Sequence, residues 1–557
     1  MKKLLLTMGL ALLGAHSFAQ VIVYAEEPAI IEGNFEFNHP TNWSGQLSVP
    51  ANAVLDTVVL ADDSLACTPI TNDLTGKIAL VYRGGCEFSA KALAAQNAGA
   101  RAVIIVNNIP GPPVGMGIGA SGASVTIPAV MISQDAGAQI RAAMLTDDVV
   151  MYLGVKNGYF MDDLGFTVAD ALRADANGIP SQIAQNAGEF TTTLGTWVHN
   201  YGQNDQTGVT VTATVNNGTE VYNETSAADD VPSGDSIWFE VSPAFSLPSY
   251  PAETYTITYT INYGTADDYT ADNTLSNDFK IQDSIYSLAR LDAQGLPIST
   301  IGTRPATNNL SYSSCIVFSN PNASRLGATG LYFTAAINAP DSLWGQEIIV
   351  TAYRWEDAFV DLNDPNFGFT SLTEMTTTSY YFEDVDNYTV VYAPFPEPFV
   401  MDDDQRYMFC AQTFNTEVFL GYDEESRYLE NIEQDLQPVY PIENDGDWLA
   451  GGFVSNAVPS LAVRMVDADL IGISENTIET STFPNPAKDL VTVKVDASGT
   501  AVLNVTDLAG RTVLSQEVSI VNGQFTTNVS GFNAGTYVFN LSYDNGASSQ
   551  VKVVVTK

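Results

Sequence analysis

From Thr254 to Ile261 the chain alternates threonine with tyrosine or isoleucine at every second position. A period of two places one residue type on each face of an extended strand, and a helix cannot sort residues that way. The same alternation returns at Val491, Val493 and Val495, and at Tyr537, Phe539, Leu541 and Tyr543. Turn residues separate such runs at intervals typical of all-β domains. Helical propensity gathers in the first quarter. There, segments 89–98 and 135–144 alternate with short apolar runs at 78–82, 102–106 and 127–132. That rhythm reads as an α/β unit. With 557 residues, the chain is expected to be multidomain and mainly β.

The front of the chain is an address. Lys2 and Lys3 precede an apolar run from Leu4 to Leu13, too short for an ordinary membrane span. Ser17-Phe18-Ala19 then places small residues where a signal peptidase cuts. Residues 1–19 are therefore expected to be an export signal that leaves Gln20 first. No later apolar run is long enough to span, so no transmembrane segment is expected. Export also sets the redox compartment for the four cysteines, Cys67, Cys86, Cys315 and Cys410. Four cysteines allow three pairings. They fall into two distant pairs, so Cys67–Cys86 and Cys315–Cys410 is the economical arrangement; four free buried thiols is the competing one. None lies at zinc-site spacing from another Cys or His.

The charge excludes a class of partner. The chain has 22 basic and 64 acidic residues, a net −42. Nucleic acid is therefore not an expected partner, and anionic membrane surfaces should repel the chain. The acidity is not spread evenly. Residues 20–480 hold 15 basic against 59 acidic residues, whereas residues 481–557 hold five of each.

Two segments resemble known families. Gly76-Lys77-Ile78-Ala79-Leu80-Val81, Arg83-Gly84-Gly85-Cys86-Glu87-Phe88, Ala98-Gly99-Ala100, Asn107-Asn108 and Ile127-Pro128 together resemble the protease-associated domain. The resemblance covers about a quarter of the chain, within residues 20–155. It implies a non-catalytic module that sits beside or inside peptidases, or in sorting receptors, and binds peptide or protein. Many members bridge the positions of Cys67 and Cys86, which supports that pairing. At the other end stand Phe483-Pro484-Asn485-Pro486-Ala487, Val505 with Asp507-Leu508-Ala509-Gly510-Arg511, Ala534-Gly535-Thr536-Tyr537, and Lys552 to Lys557. Residues 475–557 thus closely resemble the type A C-terminal sorting domain of type IX secretion substrates. That resemblance implies the type IX machinery as a partner, and release from, or attachment to, the surface of a Gram-negative cell. Between the two, residues 156–192 read as a linker with one short helix. Residues 193–285 resemble an immunoglobulin-like β-sandwich, and residues 286–470 fit a jelly-roll-like one.

Chemistry is sparse. His16 leaves with the signal, and only His39 and His199 remain. No His-Glu-x-x-His or Gly-x-Ser-x-Gly accompanies them, so each reads as a packing or surface residue. Gly117-Ile118-Gly119-Ala120-Ser121-Gly122 opens a strand rather than a helix, so it lacks the helix N-terminus a dinucleotide needs. It reads instead as a loop over the domain surface. With Arg83, Gly84, Gly85, Gly115, Gly117 and Gly119 it forms the expected rim of a partner site. Asp361, Asn363 and Asp364, and again Asp445 and Asp447, offer the clustered oxygens that calcium takes; no other cofactor is expected. Trp448 is the expected glycan contact. Glu347, Glu356, Asp357, Glu374 and Glu383 supply carboxylates for a hydrolase, but sequence cannot pair them across a cleft.

The resulting expectation is a secreted or cell-surface modular protein with no readable catalytic residues. It binds extracellular protein, peptide or glycan through its protease-associated domain and jelly-roll. The alternative is a secreted hydrolase or peptidase-accessory protein with a carboxylate-based site in residues 286–470.

Overall fold

The structure is a computed structural model, which describes residues 20–305, 310–338, 341–359, 364–383, 386–435, 438–453, 457–471, 480–495, 497–508, 510–543 and 548–557. The export signal, Asp361 and Asn363 lie outside the described residues. The chain is mainly β and multidomain, as expected.

The apolar runs of the first quarter become the strands Ile78–Tyr82, Ala102–Val106 and Ala129–Ile132. They pair in parallel with one another and with Val54–Leu60. Parallel strands need crossover connections, and the one from Ile78–Tyr82 to Ala102–Val106 is helical; a second helix follows the last parallel strand, and the two cover opposite faces. Helix Phe88–Asn97 packs on one face through Ala92 and Ala95, and helix Gln134–Ala143 on the other through Ala136 and Ile140. Ser133 Oγ caps the second helix by accepting the Ala136 N–H at 3.1 Å. Gly99, with φ of +90°, ends the turn after the first; a Cβ there would lie 2.8 Å from Thr75 Oγ1. Val21–Glu27 and Val150–Val155 extend the layer, giving an eight-stranded sheet.

The opening alternation lands as expected. Strand Thr254–Asn262 buries Tyr255, Ile257, Tyr259 and Ile261, and pairs antiparallel with Gln206–Asn216 and Thr274–Gln282. This sheet does not stop at residue 285. It continues through Gly178–Pro180, Ile285–Ser287, Ala462–Asp467, Leu326–Phe333 and Val391–Val400, making ten strands in all. Residues 193–285 and 286–470 therefore share one sheet and one apolar core. Residues 156–192, expected as a linker, supply strands to two sheets and bury Leu164, Phe166, Ala171 and Ile179 in that core. Their sequence lacks a long periodic run because each short piece fills a gap between longer strands. A second, six-stranded sheet places Cys315 directly opposite Cys410, and the two are bridged. Cys67 and Cys86 are bridged as well, and no described cysteine is free.

The α/β unit is fastened to the sandwich by an aromatic joint. Tyr152 stacks on Tyr159 at 3.6 Å, and Tyr24 and Phe160 close on Tyr269. At its centre Lys156 Nζ is fully buried, 2.6 Å from Asp163 Oδ1 and 2.7 Å from Asp272 Oδ2. The Tyr201 and Tyr269 rings lie 4.6 and 4.2 Å from the ammonium. The last segment stands apart. It forms a three-stranded and a four-stranded sheet around its own core, which includes Val491, Leu503, Phe539 and Val553.

Candidate functional site

The carboxyl ends of the parallel strands form an edge from which three loops rise, at 61–77, 83–87 and 107–128. Open α/β sheets bind ligands at such an edge. Arg83 leaves strand Ile78–Tyr82 and donates from Nη1 to Asn107 Oδ1 at 2.9 Å. Gly84 and Gly85 follow with φ of +124° and +78°, where a side chain would be strained. At Gly85 a Cβ would also meet Cys67 Sγ at 3.0 Å. Under this turn Lys91 is fully buried. Its Nζ donates to the Leu65 and Gly84 carbonyls, each at 2.5 Å, and lies 3.5 and 3.6 Å from the two bridged sulfurs. Burial draws the Lys91 pKa down, and the Asp63 carboxylate opposes that. Replacing Lys91 by Met should leave the Leu65 carbonyl unpaired and the Gly84 carbonyl with the Cys86 N–H alone. The expected cost is about 1–3 kcal/mol, read by urea unfolding, with faster hydrogen exchange at 83–86. Unchanged exchange there would show that the disulfide alone holds the turn.

The glycine loop is fastened rather than free. Trp43 Nε1 donates to Met116 O at 2.9 Å, and Ala120 N donates to Glu87 Oε2 at 2.7 Å. Gly119 lies against Glu87 and Ser89, while Gly115 and Gly117 stand in open space. The segment leads into the short turn Gly122–Ser124 and opens no α-helix, as its sequence context implied. Arg83, Gly84, Gly85 and Gly119 are thus tied together through Asn107, Lys91 and Glu87. Exposed Leu65, Ile109 and Ile118 belong to the same three-loop edge. A neighbouring groove of about 360 Å³, with Cys67, Pro69, Ile70, Leu93 and Ser121 among its lining, escaped the sequence reading. Leu93 and Ile70 are apolar side chains that the core leaves partly uncovered, which only the folded chain reveals.

The other expected site residues are mostly occupied with structure. Asp445 and Gly446, both at positive φ, form the two-residue turn between Ile442–Asn444 and Asp447–Leu449. The Asp445 carboxylate accepts the Ser311 N–H at 2.9 Å, and Asp364 accepts the Asn366 N–H at 2.8 Å. Among the described residues no three His, Cys, Asp or Glu side chains form a group able to hold a metal. Trp448 ends a stack: it lies 5.0 Å from Phe369, which lies 4.6 Å from Trp355. Glu347 accepts Tyr381 Oη at 2.7 Å, and Asp357 accepts Trp355 Nε1 at 3.0 Å. His39 packs on Phe37, and burial lowers its pKa. His199, by contrast, meets two partners that its sequence surroundings did not announce. Ser236 Oγ lies 2.6 Å from its Nδ1, and Asp170 Oδ2 lies 2.9 Å from its Nε2.

Comparison with known families settles the two ends. The family described as PA domain, the protease-associated domain, matches residues 53–140, and the secretion system C-terminal sorting domain matches residues 481–556. The chain carries both domains. Type IX export follows from the second, so the protein is secreted or held at the cell surface. Among the described residues no helix is long and apolar enough to cross a membrane. Signal peptide peptidase-like 2 of Arabidopsis thaliana is 35% identical over 111 residues, 19% of this chain and 19% of that protein. A probable lipoprotein aminopeptidase of Mycobacterium tuberculosis is 38% identical over 100 residues, 17% of this chain and 20% of that protein. The chain thus spans about a fifth of the length of these relatives. Among solved structures, an aminopeptidase from Aneurinibacillus is 25% identical with a TM-score of 0.21, covering 25% of this chain and 30% of that one. That score is far below a shared whole-chain fold.

Proposed function

We propose that the exported protein is a binding module that holds an extracellular protein or peptide at the loop edge of its PA domain. The observation that carries this reading is the Arg83–Cys86 turn. A disulfide, a buried lysine and an asparagine hold it rigid, although it lies at the surface beside exposed Leu65. A turn held this firmly loses little freedom on binding, so its contacts count almost fully towards affinity. The PA domain recurs both in proteins named as peptidases and in an Arabidopsis thaliana protein named for a receptor homology region and a RING domain, which fits recognition rather than one chemistry. Trp448, with one face engaged by Phe369, offers a second and glycan-suited contact far along the chain.

The test is saturable binding against panels of proteins, peptides and glycans, with and without salt. Salt at about 1 M screens the field of the acidic body to within about 3 Å, but does not weaken apolar burial. Binding at the loop edge should survive that salt. It should fall at least about tenfold when residues 115–119 are replaced by a rigid, bulky segment. Binding that disappears with salt and ignores the replacement would reduce the PA domain to a spacer.

A further inference from the structure

Ser236, His199 and Asp170 are far apart in sequence and meet on one face of a three-stranded sheet. Strand Thr192–Asn200 is its middle strand, with Ser236–Phe245 on one side and Leu164–Gly165 on the other. Register places His199 opposite Ser236. Asn200 N donates to Asp235 O at 2.9 Å, so the next pair, His199 and Ser236, is the non-hydrogen-bonded kind. Such pairs bring their side chains closest and turn their N–H groups outward. Two consequences follow. Ser236 Oγ reaches His199 Nδ1 at 2.6 Å. And because Ser236–Phe245 is the edge strand, the Ser236 N–H faces an edge that no strand among the described residues pairs with.

The histidine is held from its other side. Its Nε2 lies 2.9 Å from Asp170 Oδ2, an ion-pair contact whose N–H direction is off the hydrogen-bond axis. Asp170 is itself fixed: Thr167 N donates to its carboxylate, and its carbonyl accepts Trp197 N at 3.1 Å. The imidazole stacks on Tyr201 at 5.5 Å. The group is reachable, with side-chain exposures of 24% for His199 and 13% for Asp170. Two residues along the same face from His199 and Ser236 come Trp197 and Trp238, edge to face at 5.8 Å. Trp238 lies down over Gly195, where a Cβ would meet its ring at 2.4 Å. Trp197 Nε1 is anchored on Glu430 Oε2 at 3.1 Å. Nucleophile, base, a carboxylate behind the base and an apolar wall beside them form the constellation of acyl transfer.

We propose that Ser236 is a nucleophile activated by His199, and that the site hydrolyses carboxylic esters whose acyl group lies on the Trp197–Trp238 wall. Ser236 Oγ bonds to the ester carbonyl carbon while its proton passes to His199 Nδ1. The developing oxyanion is met by the outward Ser236 N–H. The carbon–alkoxy bond breaks, and the alcohol departs with the proton from Nδ1. Water then attacks the acyl-serine with the same base, and the carboxylic acid leaves. Asp170 is a positioning residue: it holds the ring so that Nε2 carries hydrogen and Nδ1 is the free base.

The experiment uses the full exported protein, a fluorophosphonate probe and p-nitrophenyl butyrate. The expected result is a covalent adduct that peptide mapping places on Ser236 in the unmutated protein. Ester hydrolysis should vanish in Ser236→Ala and fall about 10²–10⁴-fold in His199→Gln. Asp170→Asn should move the pH profile of labelling as well as its rate, which a merely structural role would not do. Replacement of residues 115–119 should leave labelling intact, which separates this site from the PA-domain edge. No adduct on Ser236, or hydrolysis equal in Ser236→Ala, overturns the proposal and leaves the trio as a cross-strand packing contact. Because the adduct is mapped in the unmutated protein, a variant that fails to fold does not decide the outcome.

Discussion

Lys156→Met is expected to lower stability by about 3–5 kcal/mol, because it strands two buried carboxylates with no cation. Asp163 is fully buried and Asp272 nearly so, and Lys156 is the only cation within salt-bridge reach of either among the described residues. The same two acids make the joint pH-sensitive. Burial pushes Asp163 up to about 7, helped by Asp272 and Asp267 and opposed by Lys156. Burial likewise raises Asp272. A folded-state pKa above the unfolded one means that the folded state holds a proton the unfolded state releases. The contribution is therefore fully present below about pH 4 and is lost as pH rises through about 7. Asp163→Asn should remove this part of the pH dependence, so it should gain on the parent most at about pH 8 and least at about pH 4. Urea unfolding across that range, followed by a probe in each domain, checks both variants. If Lys156→Met unfolds with the parent's midpoint, the ion cluster does not fasten the PA domain to the sandwich.

Deleting residues 475–557 should abolish export past the outer membrane, with the folded remainder retained in the periplasm. The body's shared core ends at Met465, and the sorting domain keeps a separate core. Among the described residues the deletion therefore takes nothing from the body's apolar core. The five basic and five acidic residues of 481–557 also set this domain apart from a body of 15 against 59. A carrier that reads the tail thus meets a neutral surface, away from the acidic field. Cell fractionation measures the result, with thermal unfolding of the retained protein as the check on folding. Truncated protein in the medium or on the surface would mean that export does not read this tail.

What could be read from the sequence divides along a physical line. Local periodicity and local chemistry were legible. The Thr254–Ile261 alternation fixes which side chains face inward whatever strand lies beside it, and Tyr255, Ile257, Tyr259 and Ile261 are indeed buried. The runs 78–82 and 102–106 are apolar on both faces, as strands covered by helices must be, and they are central in their sheet. The terminal domains announce themselves because their motifs are contiguous. Long-range pairing was not legible, because a period of two says that a strand exists but not which strand lies next to it. Only the tertiary structure runs one sheet through residues 178, 285 and 462, and so merges segments that turn signals had separated. Only it closes the Asp445–Gly446 turn into a hairpin and lays Trp448 on Phe369. It alone gathers Lys156, Asp163 and Asp272, and sets Ser236 against His199, because register across a narrow strand pair, not spacing along the chain, decides which polar side chains touch.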